Sequence, residues 1–198
     1  VIIDAKSLKE HNKRLAQKLA LDVSVFDQYA CNSPHTVLLE NIENNEEDIK
    51  KFVKTLGDAM GIVNRLMIPK QEISEKKAMD IISLRTEYDF SGDVTCSKNT
   101  DWTIIFSKEK GLAEPCFSRV IFVRPFETIE DIKKIHNRKI QSIALEISDQ
   151  TKKEQIADEI TKFGGDRCPH LGMMSLYSSP WDGMFTIDRL VRWIPLDV

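Results

Sequence analysis

The sequence has no run of apolar residues approaching the ~20 needed to cross a bilayer as a helix. Its opening residues, VIIDAKSLKE, lack the basic segment followed by an apolar one that marks a secretory signal. It has no basic excess. The formal charge is −3 and the pI about 5.9, which argues against a nucleic-acid partner. Its four cysteines, Cys31, Cys96, Cys116 and Cys168, are spaced widely and form no CxxC pair. That removes zinc-ribbon and thioredoxin-like readings. Cys168 and His170 offer two metal ligands, but no second pair stands at metal-site spacing, so no metal is expected. Reduced thiols in a cytoplasmic protein are the expectation. The eight glycines never fall into a GxGxxG pattern, so no phosphate-binding fingerprint is present. There is no initial Met, and we expect Val1 to be an internal residue of a longer protein.

What is present is ordinary for a globular protein: 41% hydrophobic and 30% charged residues. A length of 198 residues suffices for one domain with a full core, and one domain over residues 1–198 is the expected organisation. Ser7 to Leu21 reads as an amphipathic helix, with Leu8, Leu15 and Leu19 at helical spacing and Ser7 as N-cap with Glu10 three residues on. HTVLLE reads as a strand. Asn44 to Val63 is a second helix with acidic residues in its first turn, and Ser74 to Ser83 a third, opened by a capping pattern from Ser74 to Lys77 that lacks the acidic residue. Tyr88 to Asn99 is polar and reads as a loop or hairpin, and DWTIIFS and SRVIFVRPF are strands. TIEDIKKIH is a helix, IQSIALEIS a strand, KKEQIADEITKFG a helix closed by Gly164, and RLVRWIPL a last strand or short helix. This alternation, with strands apolar on both faces, predicts an α/β domain with a mostly parallel sheet.

Cys31 lies between the first helical run and the HTVLLE strand, in a turn at an edge of the sheet, where α/β proteins place ligand crevices. Asn32 and Ser33 are small, so a carbonyl carbon can reach the sulfur while backbone N–H groups stabilise an oxyanion. His35 is four residues on. If the intervening chain is extended, at ~3.3 Å per residue, it stands roughly 13 Å away, too far for a dyad. The plainer reading of Cys31 is a buried packing residue, since free cysteine is among the most buried types.

The phrase FDQYACNS resembles the nucleophile segment of the LuxC-type long-chain acyl-CoA reductases, fatty-acid reductases of the aldehyde dehydrogenase superfamily. The shared residues are Phe26, Asp27, Gln28, Ala30, Cys31 and Ser33. SRVIFVRPFETIEDIKKI resembles the next block of those enzymes. FGGDRCPHLGMMS and WDGMFTIDRLVRW resemble their closing Gly-x-x-Arg, Asp-Gly and Leu-Val-Arg motifs, the last two carried by Asp182, Gly183, Leu190, Val191 and Arg192. The likeness spans the chain in order. It implies a Rossmann-like three-layer α/β catalytic domain of the aldehyde dehydrogenase fold, with the cofactor-binding domain upstream of Val1. It also implies that Cys31 attacks a fatty acyl thioester, and that NADPH, bound mainly by the upstream domain, reduces the acyl-enzyme to the aldehyde. Asn32 and Ser33 would lie in the substrate or oxyanion neighbourhood. Acyl-protein synthetase or acyl-transfer subunits, and a homo-oligomer, are the partners it implies.

The likeness has departures. Where many aldehyde dehydrogenases carry Glu-x-Phe-Gly-Pro, this chain has AEPCFSRV, with Pro115 at the glutamate position and Glu114 one residue early. Glu114 is either a cofactor-binding carboxylate or a solvated loop acid. Trp181 replaces a histidine that often precedes Asp-Gly in relatives, and reads as an acyl-tunnel wall or as packing material. Two other functions stay open: an oxidising aldehyde dehydrogenase of the same superfamily, and a non-catalytic homologue acting in subunit assembly, for which Cys31 should be buried.

Overall fold

The computed structural model describes residues 1–41, 45–135, 140–162, 164–192 and 194–195. A six-stranded sheet runs through it. In chain order the elements are β1 (Ile2–Ile3), α1 (Ala5–Ser24), a 3-10 turn (Val25–Gln28), β2 (Thr36–Glu40), α2 (Glu46–Leu66), α3 (Glu75–Asp89), β3 (Asp93–Cys96), β4 (Thr103–Phe106), β5 (Val120–Phe126), α4 (Ile129–Lys133), β6 (Leu145–Glu146), α5 (Gln150–Thr161) and α6 (Thr186–Leu190). The strand order is β3-β4-β5-β2-β1-β6, parallel throughout except for β3, which pairs antiparallel with β4 at one edge.

Side chains alternate across the sheet and bury on both faces, which is why the strands read as apolar throughout. Ile3, Val37, Leu39, Ile104, Ile121 and Val123 face one side and pack with Leu15, Leu19, Phe52 and Leu56 of α1 and α2. Their sequence neighbours Ile2, Leu38 and Leu145 face the other side, with Ile132 of α4 and Ile156 and Ile160 of α5. Further along that second face, Ile105, Val120 and Phe122 meet Ile81, Leu84 and Tyr88 of α3. The result is the three-layer α/β architecture the sequence implied. Among the described residues no helix is long and apolar enough to cross a membrane.

Several boundaries differ from the sequence reading. The first helix begins at Ala5, because Asp4 and not Ser7 is its N-cap. The Asp4 carboxylate accepts the Ser7 N–H at 2.7 Å, so Ser7 is the capped residue. α3 is capped by Ser74 as expected, at 3.2 Å from the Lys77 N–H, but runs on to Asp89. Its last turns are held from outside: Arg85 donates to the Thr103 hydroxyl and the Trp102 carbonyl, and the Tyr88 ring packs edge-on against Phe122. The polar stretch after it is a hairpin arm, β3. β1 has only two residues, too few to show an alternation in sequence, yet it sits between β2 and β6 in the sheet. The expected IQSIALEIS strand shrinks to Leu145–Glu146, and RLVRWIPL begins in the short helix α6. The expected element ends at Asn44, His136 and Leu196, and Phe163 within the expected KKEQIADEITKFG helix, lie outside the described residues.

Asp4 also ties the two ends of the sheet's crossover region. Its second oxygen accepts the Ser148 N–H at 2.8 Å and the Ser148 hydroxyl at 2.7 Å. Burial pushes this carboxyl up, but the bonds from Ser7 and Ser148 outweigh it and hold the group below its ordinary value. A depressed folded-state pKa gives stability that is full above the unfolded value of ~3.9 and is lost as pH falls through the folded value. Asp4→Asn keeps an N-cap and should remove this acid-side loss in urea melts taken from pH 5 to pH 2.5. Asp4→Ala should cost about 0.5–2 kcal/mol at pH 7 as well.

Candidate active site

The segment between α1 and β2 is built on unusual backbone. Phe26, Asp27 and Gln28 all have positive φ (56°, 49° and 66°), a conformation L-residues adopt only under constraint. Phe117, Ser118 and Arg119, just before β5, form a second such run (57°, 53° and 63°). The two runs lock each other. The Ser118 N–H donates to the Asp27 carbonyl at 2.9 Å. The Arg119 guanidinium, fully buried, donates to the Asp27 carboxylate at 2.5 Å, to Asn64 Oδ1 at 3.0 Å and to the Ser24 carbonyl at 3.5 Å. The Gln28 amide, also fully buried, donates to the carbonyls of Pro34 and Val120. The Tyr29 ring stacks on Phe117 and its hydroxyl is 2.9 Å from that of Ser118.

This frame presents Cys31 on a turn closed by the Ser33 N–H on the Ala30 carbonyl, 3.0 Å. Cys31 is exposed, not buried. Among the described residues, the backbone N–H groups of Cys31 and Asn32 find no acceptor. Because the thiol follows a helix and precedes a parallel strand, it lies at the amino-terminal edge of the sheet. That is opposite to the carboxyl-end crevice typical of open α/β sheets.

Cys31 opens onto a cavity of about 490 Å³ that Ser33, His35, Glu114 and Phe117 also line. Three of the four residues singled out from sequence (Cys31, Ser33 and Glu114) therefore meet at one cavity. Asn32 does not line it: its amide donates to the Met174 carbonyl at 2.9 Å, so it anchors the turn from behind. Glu114 is exposed and its carboxylate has no partner among the described residues. The chain between Cys31 and His35 is not extended throughout, because a turn at Ala30–Ser33 comes before the strand. His35 shares the cavity, packs edge-on against Phe117 with ring centroids 5.0 Å apart, and is held below its ordinary pKa by burial. Among the described residues, its Nδ1 and the Ser33 hydroxyl are buried without hydrogen-bond partners.

Behind the turn lies a strap, residues 167–176. Arg167 donates to the carbonyls of Met174 and Leu176, and Asp22 of α1 accepts the N–H groups of Gly172 and Met174. The Arg of the closing Gly-x-x-Arg motif is thus one bond removed from the turn that carries the thiol. Trp181 does not reach the cavity. It lies under the Arg167 guanidinium, 3.8 Å from ring centroid to carbon, and stacks on Tyr177. The Asp182-Gly183 pair after it is a left-handed turn (φ 49° and 70°), and a Cβ at Gly183 would stand 3.1 Å from Asp166 Oδ1.

Sequence reasoning quoted Asp27, Gln28, Ser118 and Arg119 as recognition text but assigned them no task. Their signal was there: opposite charges placed beside two strands whose other residues are apolar. The partners Arg119 finds in Asn64 and Ser24, and the link from Asn32 to Met174, span too much sequence to have been read.

A sheet of this order, flanked by helices and carrying an exposed cysteine on a braced turn, has the fold of aldehyde dehydrogenases. An indole-3-acetaldehyde dehydrogenase complexed with NAD+ superposes with a TM-score of 0.62 at 12% identity, over 84% of this chain and 36% of that one. Aldehyde dehydrogenase 21 from Physcomitrella patens, solved with its product succinate, gives 0.59 at 15% identity over 89% and 38%. A succinic semialdehyde dehydrogenase from Streptococcus pyogenes with NADP+ gives 0.51 at 14% identity over 74% and 36%. The chain thus spans little more than a third of the length of these solved structures. No functionally curated protein matches it. A family model described as acyl-CoA reductase (LuxC) matches residues 1–193, and the chain belongs to that family.

Removing one partner of a buried ion pair strands the other charge, at a cost of about 3–5 kcal/mol. Arg119→Met should lower unfolding stability by that order in urea titrations. The Asp27→Ala, Arg119→Met double variant should lose clearly less than the sum of the two singles. Asp22 gives a second check. Burial pushes its carboxyl up to about 6, against the bonds from Gly172 and Met174. A raised folded pKa favours folding fully below the unfolded value of ~3.9, and that contribution is lost as pH rises through about 6. Asp22→Asn should flatten this part of the stability profile between pH 4 and 7.

Proposed function

We propose that this chain carries the thioester-forming site of a long-chain acyl-CoA reductase, with Cys31 as nucleophile. The observation that carries the reading is the exposed Cys31, on a braced turn with two backbone N–H groups unpaired among the described residues, facing a largely apolar cavity in a member of the acyl-CoA reductase family. The Cys31 thiolate attacks the carbonyl carbon of a fatty acyl thioester. The N–H groups of Cys31 and Asn32 receive the developing oxyanion. Collapse breaks the bond to the leaving sulfur, releasing coenzyme A or an acyl-carrier thiol and leaving the acyl group on Cys31. Burial favours the neutral form of His35, which packs edge-on against Phe117 at the cavity wall.

The acyl-enzyme needs a hydride to become the aldehyde, and a reduced nicotinamide, NADPH in this reading, supplies that chemistry when bound. The residues present fit only its sugar end: the unpartnered Glu114 carboxylate on the cavity suits ribose hydroxyls. No glycine-rich loop in the sequence suits the phosphates. The chain alone should therefore form the acyl-enzyme without completing turnover. The exposure of Cys31 speaks against a non-catalytic homologue, for which the thiol should be buried.

Incubation with myristoyl-CoA followed by intact-mass measurement tests this. Wild-type protein should gain one acyl increment, discharged by hydroxylamine, and Cys31→Ala should gain none. An increment that persists in Cys31→Ala, or none in folded wild type, would sink the assignment.

A further inference from the structure

The Asp27–Arg119 pair has a second layer behind it, built on Asn64 in the last turn of α2. The Met67 and Ile68 N–H groups both donate to the Val63 carbonyl, at 3.0 and 2.8 Å, so the chain leaves α2 in a tight turn that doubles back to Asn64. There Asn64 Oδ1 accepts two bonds, from Arg119 Nη1 at 3.0 Å and from the Lys70 N–H at 2.9 Å. Its Nδ2 donates to the Asp101 carboxylate at 2.9 Å. The Gln71 N–H donates to Asp27 Oδ2 at 3.2 Å, while Arg119 Nε holds the other oxygen. The Lys70 ammonium bonds to the Thr100 carbonyl, and Lys70 and Arg85 complete the charges around Asp27, Asp101 and Arg119.

An amide suits this joint because it must accept from a guanidinium on one side and donate to a carboxylate on the other. An apolar side chain would leave the fully buried Arg119 one bond short. A carboxylate would stand against Asp101 and compete with Asp27 for Arg119. None of these groups lines the Cys31 cavity, so their route to the sulfur runs through Arg119 and Asp27. We propose that Asn64 is a positioning residue for Cys31: by fixing the Arg119 guanidinium it holds Asp27, and with it the left-handed run that sets the turn. Its consequence for catalysis rests on the reading of Cys31 as the acyl acceptor, but its hold on the turn is measurable without acyl transfer.

Hydrogen exchange of single amides in the full chain, followed by mass spectrometry with fragmentation, reads the turn directly. The reporters are the Ser33 N–H on the Ala30 carbonyl and the Ser118 N–H on the Asp27 carbonyl. Asn64→Leu removes a charged hydrogen bond and should speed both by about tenfold or more. Ile156 and Ile160 of α5, packed on the other face of the sheet, should keep their rates. Asn64→Asp should exchange near the wild-type rate at pH 5, where it shares a proton with Asp101, and faster at pH 7, each against wild type at the same pH. It also carries the test if the leucine variant does not fold. Acylation of Cys31 by myristoyl-CoA should slow by about tenfold or more in Asn64→Leu, because small displacements of a reacting group cost that order. Labelling of the same thiol by N-ethylmaleimide should stay within about twofold. Unchanged exchange at Ser33 and Ser118, an equal rise in α5, an Asn64→Asp variant indifferent to pH, or a loosened turn that acylates at the wild-type rate overturns the proposal. A turn loosened as expected, in a protein whose wild type takes no acyl group, would leave the hold of Asn64 on the turn standing and overturn the acyl-transfer reading.

Discussion

The ion pair between Asp27 and Arg119 is the constraint on which the site depends. It joins two three-residue runs of left-handed backbone, neither containing glycine, which would not persist without a strong outside reason. One run lies just before the turn and strand β2, and the other directly before β5, the strand that pairs with β2. The pair therefore fixes the distance between two adjacent strand entries at one end of the sheet. A buried pair adds little net stability when compared with apolar residues of the same volume. What it supplies here is position: with Gln28 bonded to Pro34 and Val120, it leaves the Cys31 turn few alternative paths.

The same economy explains the closing motif. Arg167 and Asp22 shape the strap at Met174, and Asn32 hangs the turn on it. The thiol is thus braced from both sides, through the left-handed runs in front and the strap behind. Its own surroundings stay open, with N–H groups unpaired among the described residues and an apolar cavity. Rigid support around an accessible thiol suits the thioester chemistry proposed for Cys31, because an attacking sulfur and its oxyanion donors must keep their relative positions while the substrate comes and goes.

Residues did different amounts of the explaining. Ser74 announced its helix because a cap bonds only three residues ahead, a distance local sequence controls. Asp4 did the same job unseen, because Ser7, with Glu10 after it, looked the better cap. β1 was invisible because two residues carry no period, and its place between β2 and β6 comes from partners more than 30 residues away. The full length of α3 was hidden too, since Arg85 and Tyr88 earn their turns from contacts with Trp102, Thr103 and Phe122.

By itself the sequence determined the fold class, through strands apolar on both faces between amphipathic helices, and the family, through an ordered set of phrases around Cys31. It also singled out Cys31, Ser33 and Glu114, which meet at one cavity. Tertiary structure decided the rest. It put the thiol at the amino-terminal edge of the sheet, brought His35 to the same cavity, and turned Asn32 away towards Met174. The reason is physical: a hydrophobic period or a cap is a property of neighbouring residues, whereas a cavity is made where segments from β1, β2, the loop before β5 and the approach to β6 converge. No local pattern encodes that convergence.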